Sequence, residues 1–384
     1  MPFEFATATR IVFGEGTLGQ VAPAAAQMGT RALLVHGDSG ERAAPLLRGI
    51  QDAGLVCLEM ARHGEPTIEQ VRTASEYARD ERCDLVVALG GGSTIDCGKA
   101  IAAMLANPGE PLDYLEVIGR GEPLRHPSAP FIAVPTTAGT GSEVTRNAVL
   151  ASPEQRVKAS LRSASMLPRL AVVDPELTLG LPPAIMASTG LDALAQLIEP
   201  YVSSRANAMT DMFCMEGMRN AAIALPRAWE NGGDRAARSA MSWASLLGGL
   251  ALANAGLGAV HGFAAPIGGM FPAPHGAVCA ALLPHVIEAN VEALHSRAPE
   301  SDALRRYDTV ARLLTGQRHA TGGDAVWWLL ELTRKLEIPA LREYGVGEGD
   351  LRVIAARAAN ASSMKGNPIA LTPDEMTEIL SRAR

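Results

Sequence analysis

Residues 90–96 of this 384-residue chain read GGGSTID, directly after the apolar run CDLVVAL (83–89). Three consecutive glycines remove every side chain between a strand and the next helix. A phosphate can then approach backbone N–H groups at a helix N-terminus, where the helix dipole adds attraction. Ser93 and Thr94 can cap that helix or bond phosphate oxygens. A second loop of small residues, PTTAGTGSEVT (135–145), follows another apolar run. Two such loops at the C-terminal ends of parallel strands would face one crevice. A rival is spelled GEGTLG (14–19), a literal GxGxxG with Asp38 about 20 residues further on. Glu15 inside it would oppose a pyrophosphate, so this stretch is read as a strand-to-helix turn. Two histidines and an aspartate scattered along a chain carry little metal signal by themselves.

The elements that must position these loops fall into two halves. Up to about residue 180, RIVFG (10–14), RALLVHG (31–37), GLVCLEM (54–60), CDLVVALG (83–90), PFIAVPT (130–136) and RLAVVDP (169–175) read as strands. VRTASEYARDER (71–82) reads as a helix between two of them, and EPLDYLEVIG (110–119) as a surface helix. Apolar runs alternating with helices predict a parallel sheet covered on both faces. Residues 146–163 suit an antiparallel excursion. Beyond LTLGLPP (177–183) the chain is Ala-, Leu-, Met- and Glu-rich at helical spacing. The expected organisation is therefore an α/β, Rossmann-like nucleotide-binding domain over 1–180 and an all-helical domain over 181–384. Met209, Met212, Met215 and Met218 recur at near-helical spacing and are read as packing.

Composition narrows the function classes. Hydrophobic residues make up 47% and charged residues 20%, which excludes a disordered chain. The net charge is −7 with no basic run, which argues against nucleic acid. No charged-then-apolar leader opens the chain, and no apolar stretch reaches the roughly 18 residues that a membrane span needs. The five cysteines are scattered without a CxxC, as expected of reduced thiols in a cytoplasm.

Six stretches then resemble one family. GGGSTIDCGKA, PTTAGTGSEVT, DPELT (174–178), LDALAQLIEPYV (191–202), AVHGFAAPIGGMFPAPHGAVCAALLPHV (259–286) and MKGNP (364–368) are similar, in order, to iron-containing (group III) alcohol dehydrogenases. The resemblance implies a dehydroquinate-synthase-like fold, with a nucleotide-binding domain, a helical metal and substrate domain, and a cleft between them. It implies NAD or NADP as cofactor, held by Gly37, Asp38, Gly91, Gly92, Ser93, Asp96, Thr136, Thr137, Thr140, Ser142 and Lys158. It implies a divalent metal (iron or zinc), a small alcohol or aldehyde substrate, and a homodimer or larger assembly. Family members carry an acidic residue at the end of the second strand, where it repels a 2′-phosphate. Here Gly37 stands there, with Asp38 one step late, a slight lean toward NADP(H).

The chain departs from the family at the metal. The four ligand positions are Asp192, Gln196, His261 and His275, so an amide replaces one imidazole. Asp192 and Gln196 lie four apart, on one helix face. An amide oxygen is a poorer donor to iron or zinc than imidazole. Asp192, His261 and His275 still form a two-histidine, one-carboxylate set able to hold a catalytic ion with open positions. Ala265 stands where many relatives carry a histidine near the nicotinamide. The expected activity is NAD(P)-dependent hydride transfer to or from a small alcohol or carbonyl, with the metal as Lewis acid. Two alternatives stay open: a metal-independent keto-acid reductase resembling maleylacetate reductase, and a nucleotide-binding relative without turnover.

Overall fold

The computed structural model describes residues 2–37 and 40–384. It divides into two compact units. One comprises Ala6–Thr137 and Gly141–Thr178; the other comprises Leu179–Arg384, the N-terminal residues through Phe5, and Ala138–Thr140.

The first unit is built on strands β1 (Ile11–Phe13), β2 (Arg31–His36), β3 (Val56–Ala61), β4 (Leu85–Gly90), β5 (Phe131–Pro135) and β8 (Leu170–Val173). They form one parallel sheet in the order β1-β8-β5-β4-β2-β3. Strands β6 (Asn147–Ser152) and β7 (Val157–Arg162) pair antiparallel as a separate hairpin. The helices are α1 (Val21–Ala25), α2 (Gly40–Asp52), α3 (Ile68–Asp80), α4 (Gly92–Ala106) and the single turn α5 (Pro111–Tyr114). Both faces of the sheet are covered, which is why β4 and β5 are apolar and buried throughout. Side chains alternate between two cores. Val35, Val86, Ala88 and Ala133 enter one, and Leu34, Val87, Ile132 and Val134 the other. Helix α4 lies close on the sheet because residue 98 is glycine; a Cβ there would sit 2.8 Å from that of Ala88. The stretch 110–119 is not a surface helix. It makes one turn and then buries Tyr114 and Leu115, with Leu115 bridged to Leu161 in β7.

Strand order decides between the two glycine loops. After β2 the chain steps to β3 on one side, then returns to place β4 on the other side of β2, pairing His36 with Leu89. The order in which strands are added reverses between β2 and β4, and ligands of such sheets sit outside the carboxyl ends of the strands at that point. GGGS begins at the end of β4. GEGTLG follows β1, the far edge strand, where Gly16 (φ 73°) starts a 3-10 turn over Thr17–Gln20.

Behind the GGGS loop lies a buried polar knot. Lys99 of α4 is fully buried. Its ammonium donates to Ser142 Oγ (2.9 Å), Thr145 Oγ1 (2.8 Å) and the Asn147 carbonyl (2.6 Å), and lies 3.4 Å from Asp96 Oδ1. Asp96 accepts from the Ser142 hydroxyl and from the Val149 N–H (2.9 Å). One lysine thus fixes the 142–149 segment onto α4. Beside it Glu143 is buried, and desolvation pushes its pKa up to about 7.

The second unit is helical, with no strand among its described residues. Its helices are α6 (Pro183–Val202), α7 (Ala208–Glu230), α8 (Arg235–Ala255), α9 (Ala259–Met270), α10 (His275–Arg297), α11 (Asp302–Thr315), α12 (Gly322–Lys335), α13 (Leu351–Ala359) and α14 (Pro373–Ala383). α6 is buried continuously from Gly190 to Val202. α10 is long and apolar enough to cross a membrane, yet 72% of that window is buried, the mark of a core helix. Of the four spaced methionines only Met218 is in the core; Met212 is exposed.

Two stability measurements check the knot. Lys99→Met leaves Asp96 and several buried oxygens without their cation, and should cost about 3–5 kcal/mol in urea unfolding of the first unit. Glu143 is protonated in the fold over a range where the unfolded chain is not. Native stability should therefore fall as pH rises from the ordinary 4.5 to about 7, and Glu143→Gln should flatten that slope. An unchanged slope would remove Glu143 as its source.

Candidate metal centre and nucleotide-binding loops

In the first unit, Gly91 is the N-cap of α4, extended and with no side-chain cap. The helix start is thus left to an outside acceptor. The β5 loop closes on it, with Thr136 N–H donating to the Gly90 carbonyl at 2.9 Å and Thr137 packed beside Gly91. Ser93 and Lys158 both reach Glu65, at 3.3 and 3.4 Å. Gly37 follows β2 at the same sheet end, and among the described residues a Cβ there would meet Thr94 Oγ1, at 3.9 Å. Arg62 Nε donates to that same Oγ1 (3.2 Å), and its Nη1 is buried without a hydrogen bond. Asp96 and Ser142 belong to the knot beneath the loop. Thr140 groups with the helical unit. Asp38 lies outside the described residues.

The second unit brings Asp192, His261 and His275 together, from α6, α9 and α10. Asp192 Oδ1 lies 3.3 Å from His261 Nε2 and 3.7 Å from His275 Nε2, and makes no hydrogen bond although buried. A fourth residue joins them. Cys279 Sγ is 3.7 Å from His275 Nε2 and 3.9 Å from His261 Nε2. One ligand atom from each of the four lies within 4.8 Å of the rest. A desolvated carboxylate oxygen with no donor, facing two imidazoles and a thiol, fits a divalent cation. Gln196, the predicted fourth ligand, turns its amide nitrogen to Asp192 Oδ2 at 3.2 Å. Its own Oε1 is buried without a hydrogen bond.

The helix geometry explains the convergence. Asp192, Gln196 and Glu199 recur at i, i+4 and i+7 on the buried face of α6. Glu199 Oε2 accepts from His261 Nδ1 at 2.6 Å, and Oε1 accepts from the Val260 N–H at 2.6 Å. One carboxylate thus satisfies an orphan N–H at the start of α9 and fixes the imidazole with Nε2 toward Asp192. The preceding N–H, of Ala259, donates to Asn367 Oδ1 (3.1 Å), and Asn367 is tied to Asn290 at 2.7 Å. Gly258 permits this approach; a Cβ there would sit 2.9 Å from Glu199 Oε1. Cys279 follows His275 by four residues on α10, and so shares its face.

Burial works to lower the pKa of both histidines. The negative charges of Cys279, Glu199 and Asp192 overcome it, and His261 is raised well above its ordinary value. His275 is pushed up to about 9 by Cys279 and Asp192 against the same opposition. Burial would raise Asp192, but the two imidazoles hold it low. Sequence reasoning missed Cys279 and Glu199. The signal for both was the helical spacing already applied to Asp192 and Gln196. Cys97, by contrast, is a buried thiol pushed up to about 12 by desolvation, with no reactive character.

Comparison with known proteins gives one result. The model of "Iron-containing alcohol dehydrogenase" matches residues 8–175, and that of "Fe-containing alcohol dehydrogenase family, C-terminal" matches residues 186–384. Alcohol dehydrogenase 4 of Saccharomyces cerevisiae is 34% identical over 377 residues, 97% of this chain and 96% of its own. The 1,3-propanediol dehydrogenase of Klebsiella pneumoniae is 34% identical over 380 residues, with 97% and 96% covered. A crystal structure of 1,3-propanediol oxidoreductase superposes with a TM-score of 0.91 at 33% identity, covering all of both chains.

Removing the charge of Glu199 while keeping its shape isolates its part. Glu199→Gln should weaken zinc or iron binding about 10–100-fold, read by chelator competition. Unaltered affinity would reduce Glu199 to a helix cap.

Proposed function

Because the chain belongs to the iron-containing alcohol dehydrogenase family, we propose that it exchanges hydride between NADP(H) and a small, uncharged or weakly polar alcohol or aldehyde, with a divalent ion held by Asp192, His261 and His275. Oxidoreduction at CH–OH groups with a nicotinamide cofactor is the family's activity and this chain's. The observation that carries the metal-dependent reading is Asp192 Oδ1, buried and unbonded between two imidazoles.

When bound, the nicotinamide supplies or accepts hydride, and the divalent ion supplies Lewis acidity toward the substrate oxygen. The chain's residues do the positioning. Glu199 keeps the proton on His261 Nδ1 and leaves Nε2 free to ligate. Gln196 holds Asp192 Oδ2, so that Oδ1 alone faces the imidazoles. The uncapped start of α4 at Gly91 is an anion site for the pyrophosphate. Ala265, one helical turn beyond His261, offers no proton acceptor. The alcohol proton then leaves on the side of His275, whose side chain is 37% exposed.

The missing side chain at Gly37 and the guanidinium nitrogen of Arg62, buried without a hydrogen bond beside Thr94, favour NADP(H) over NAD(H). Five free, buried cysteines are in keeping with a reducing cytoplasm. The exposed apolar Met212, Ile223 and Trp327 are in keeping with a homodimer or larger assembly.

The test is NADPH oxidation on a panel of small aldehydes, with metal removed and restored. Activity should vanish on chelation and return with a divalent ion. Turnover that survives complete metal removal would favour a metal-free reductase, and no turnover at all a non-catalytic nucleotide binder. Gly37→Asp should lower kcat/KM for NADPH relative to NADH by about tenfold or more, through like-charge repulsion of the 2′-phosphate. An unmoved ratio would overturn the NADP(H) assignment.

A further inference from the structure

We propose that the thiolate of Cys279 is the fourth protein ligand of the metal centre, giving a mixed Asp192–His261–His275–Cys279 set that favours zinc over iron. This rests on the metal-dependent reading above and goes further, because it moves the ligand role from Gln196 to Cys279.

The distances carry it. A tetrahedral ion with bonds of about 2.0–2.3 Å sets its ligand atoms about 3.3–3.6 Å apart. Here Asp192 Oδ1 stands 3.3 and 3.7 Å from the two imidazole Nε2 atoms. Cys279 Sγ stands 3.9 and 3.7 Å from the same nitrogens. These four spacings lie within about half an ångström of the tetrahedral values, and all four ligand atoms lie within 4.8 Å of one another. Cys279 is fully buried and has no exit to solvent.

Gln196 argues the same way from the opposite side. Its amide nitrogen holds Asp192 Oδ2, which leaves Oδ1 as a single-oxygen ligand. The amide nitrogen is thus spent on Asp192, and the sulfur supplies a fourth donor within 4.8 Å of the other three. The role of each α10 residue then follows from its place in the helix. His275 opens it, and Cys279 projects from the next turn on the same face. The partly exposed edge of His275 leaves one side of the shell open for a fifth donor.

Thiolate is the soft member of the set, and soft sulfur with two imidazoles and one carboxylate in a tetrahedral array suits zinc. Any nitrogen–oxygen site prefers zinc to iron(II) to some degree, so the distinguishing quantity is how far the preference depends on the sulfur.

Cobalt(II) gives the direct readout. The metal-free full-length protein is titrated with cobalt(II), and its absorption recorded beside that of Cys279→Ser and Cys279→Ala. The wild-type protein should bind one cobalt and show a near-ultraviolet thiolate-to-cobalt charge-transfer band. Both variants should lose the band, bind cobalt more weakly, and show a narrower zinc-over-iron(II) preference in competition dialysis. Stoichiometric cobalt in the wild type without that band would overturn the proposal while leaving the metal-dependent reading intact. A band that persists in both variants would overturn it equally, by placing the sulfur elsewhere. No cobalt bound at any loading would overturn both together. The wild-type spectrum alone decides the first outcome, so a variant that folds poorly does not rescue the idea.

Discussion

Taking a carboxylate out of water costs several kcal/mol unless charge or donors meet it inside. Asp192, 1% exposed, has one oxygen satisfied by Gln196 and the other satisfied by nothing but two imidazole nitrogens and a nearby sulfur. The helical unit is arranged around meeting that demand. α6 is buried along its last three turns by apolar residues such as Leu191, Leu194, Leu197 and Ile198, and carries Asp192, Gln196 and Glu199 into the interior with them. α9 begins where Glu199 and Asn367 can take its first N–H groups. α10 begins at a histidine, so that its first two turns deliver an imidazole and a thiol to the same point. Helix starts, which must in any case find partners for their unpaired N–H groups, here find them in the residues that orient the ligands.

The nucleotide-binding unit solves a similar problem with the opposite charge. A lysine at 0% exposure is tolerated because Asp96 lies against it and three oxygens from the 142–147 segment accept its protons. Its cost is offset by order, since the segment after β5 is held to the helix that starts at the glycine loop. In both units a buried ion group sits directly beneath a binding surface, where rigidity in the supporting residues keeps the first contacts in place.

Much of this was legible in the sequence, and the rest was hidden for definite reasons. Five of the six parallel strands lie within their apolar runs and β3 overruns its own by Ala61 alone; strands buried on both faces, as β4 and β5 are, are written as continuous hydrophobic stretches. The 146–163 hairpin was readable from its alternation. Strand order was not, since pairing joins residues far apart in the chain, and so GEGTLG could imitate a dinucleotide loop until β1 proved to be an edge strand. EPLDYLEVIG looked like a polar surface helix because its charges are conspicuous, while Tyr114 and Leu115 face inward. At the metal centre, Asp192 and Gln196 were implied by the family resemblance, and their i, i+4 spacing only placed both on one helix face. The same spacing in HGAVC, from His275 to Cys279, carries equal weight, but a cysteine invites a question about disulfides before one about ligands. Side-chain rotation, which turns the Gln196 amide nitrogen to Asp192 Oδ2, is not written in spacing.

The bonds that complete the centre span long stretches of chain. Glu199 meets His261 across 62 residues, and Ala259 meets Asn367 across 108. A chain emerging from the ribosome therefore makes α6, with its acidic face, well before anything exists to pair with it. The first N–H of α9 waits until residue 367 has left the exit tunnel. A chain cut short ahead of residue 367 would keep Asp192, His261, His275 and Cys279, yet lack the asparagine that takes the first N–H of the helix bearing His261.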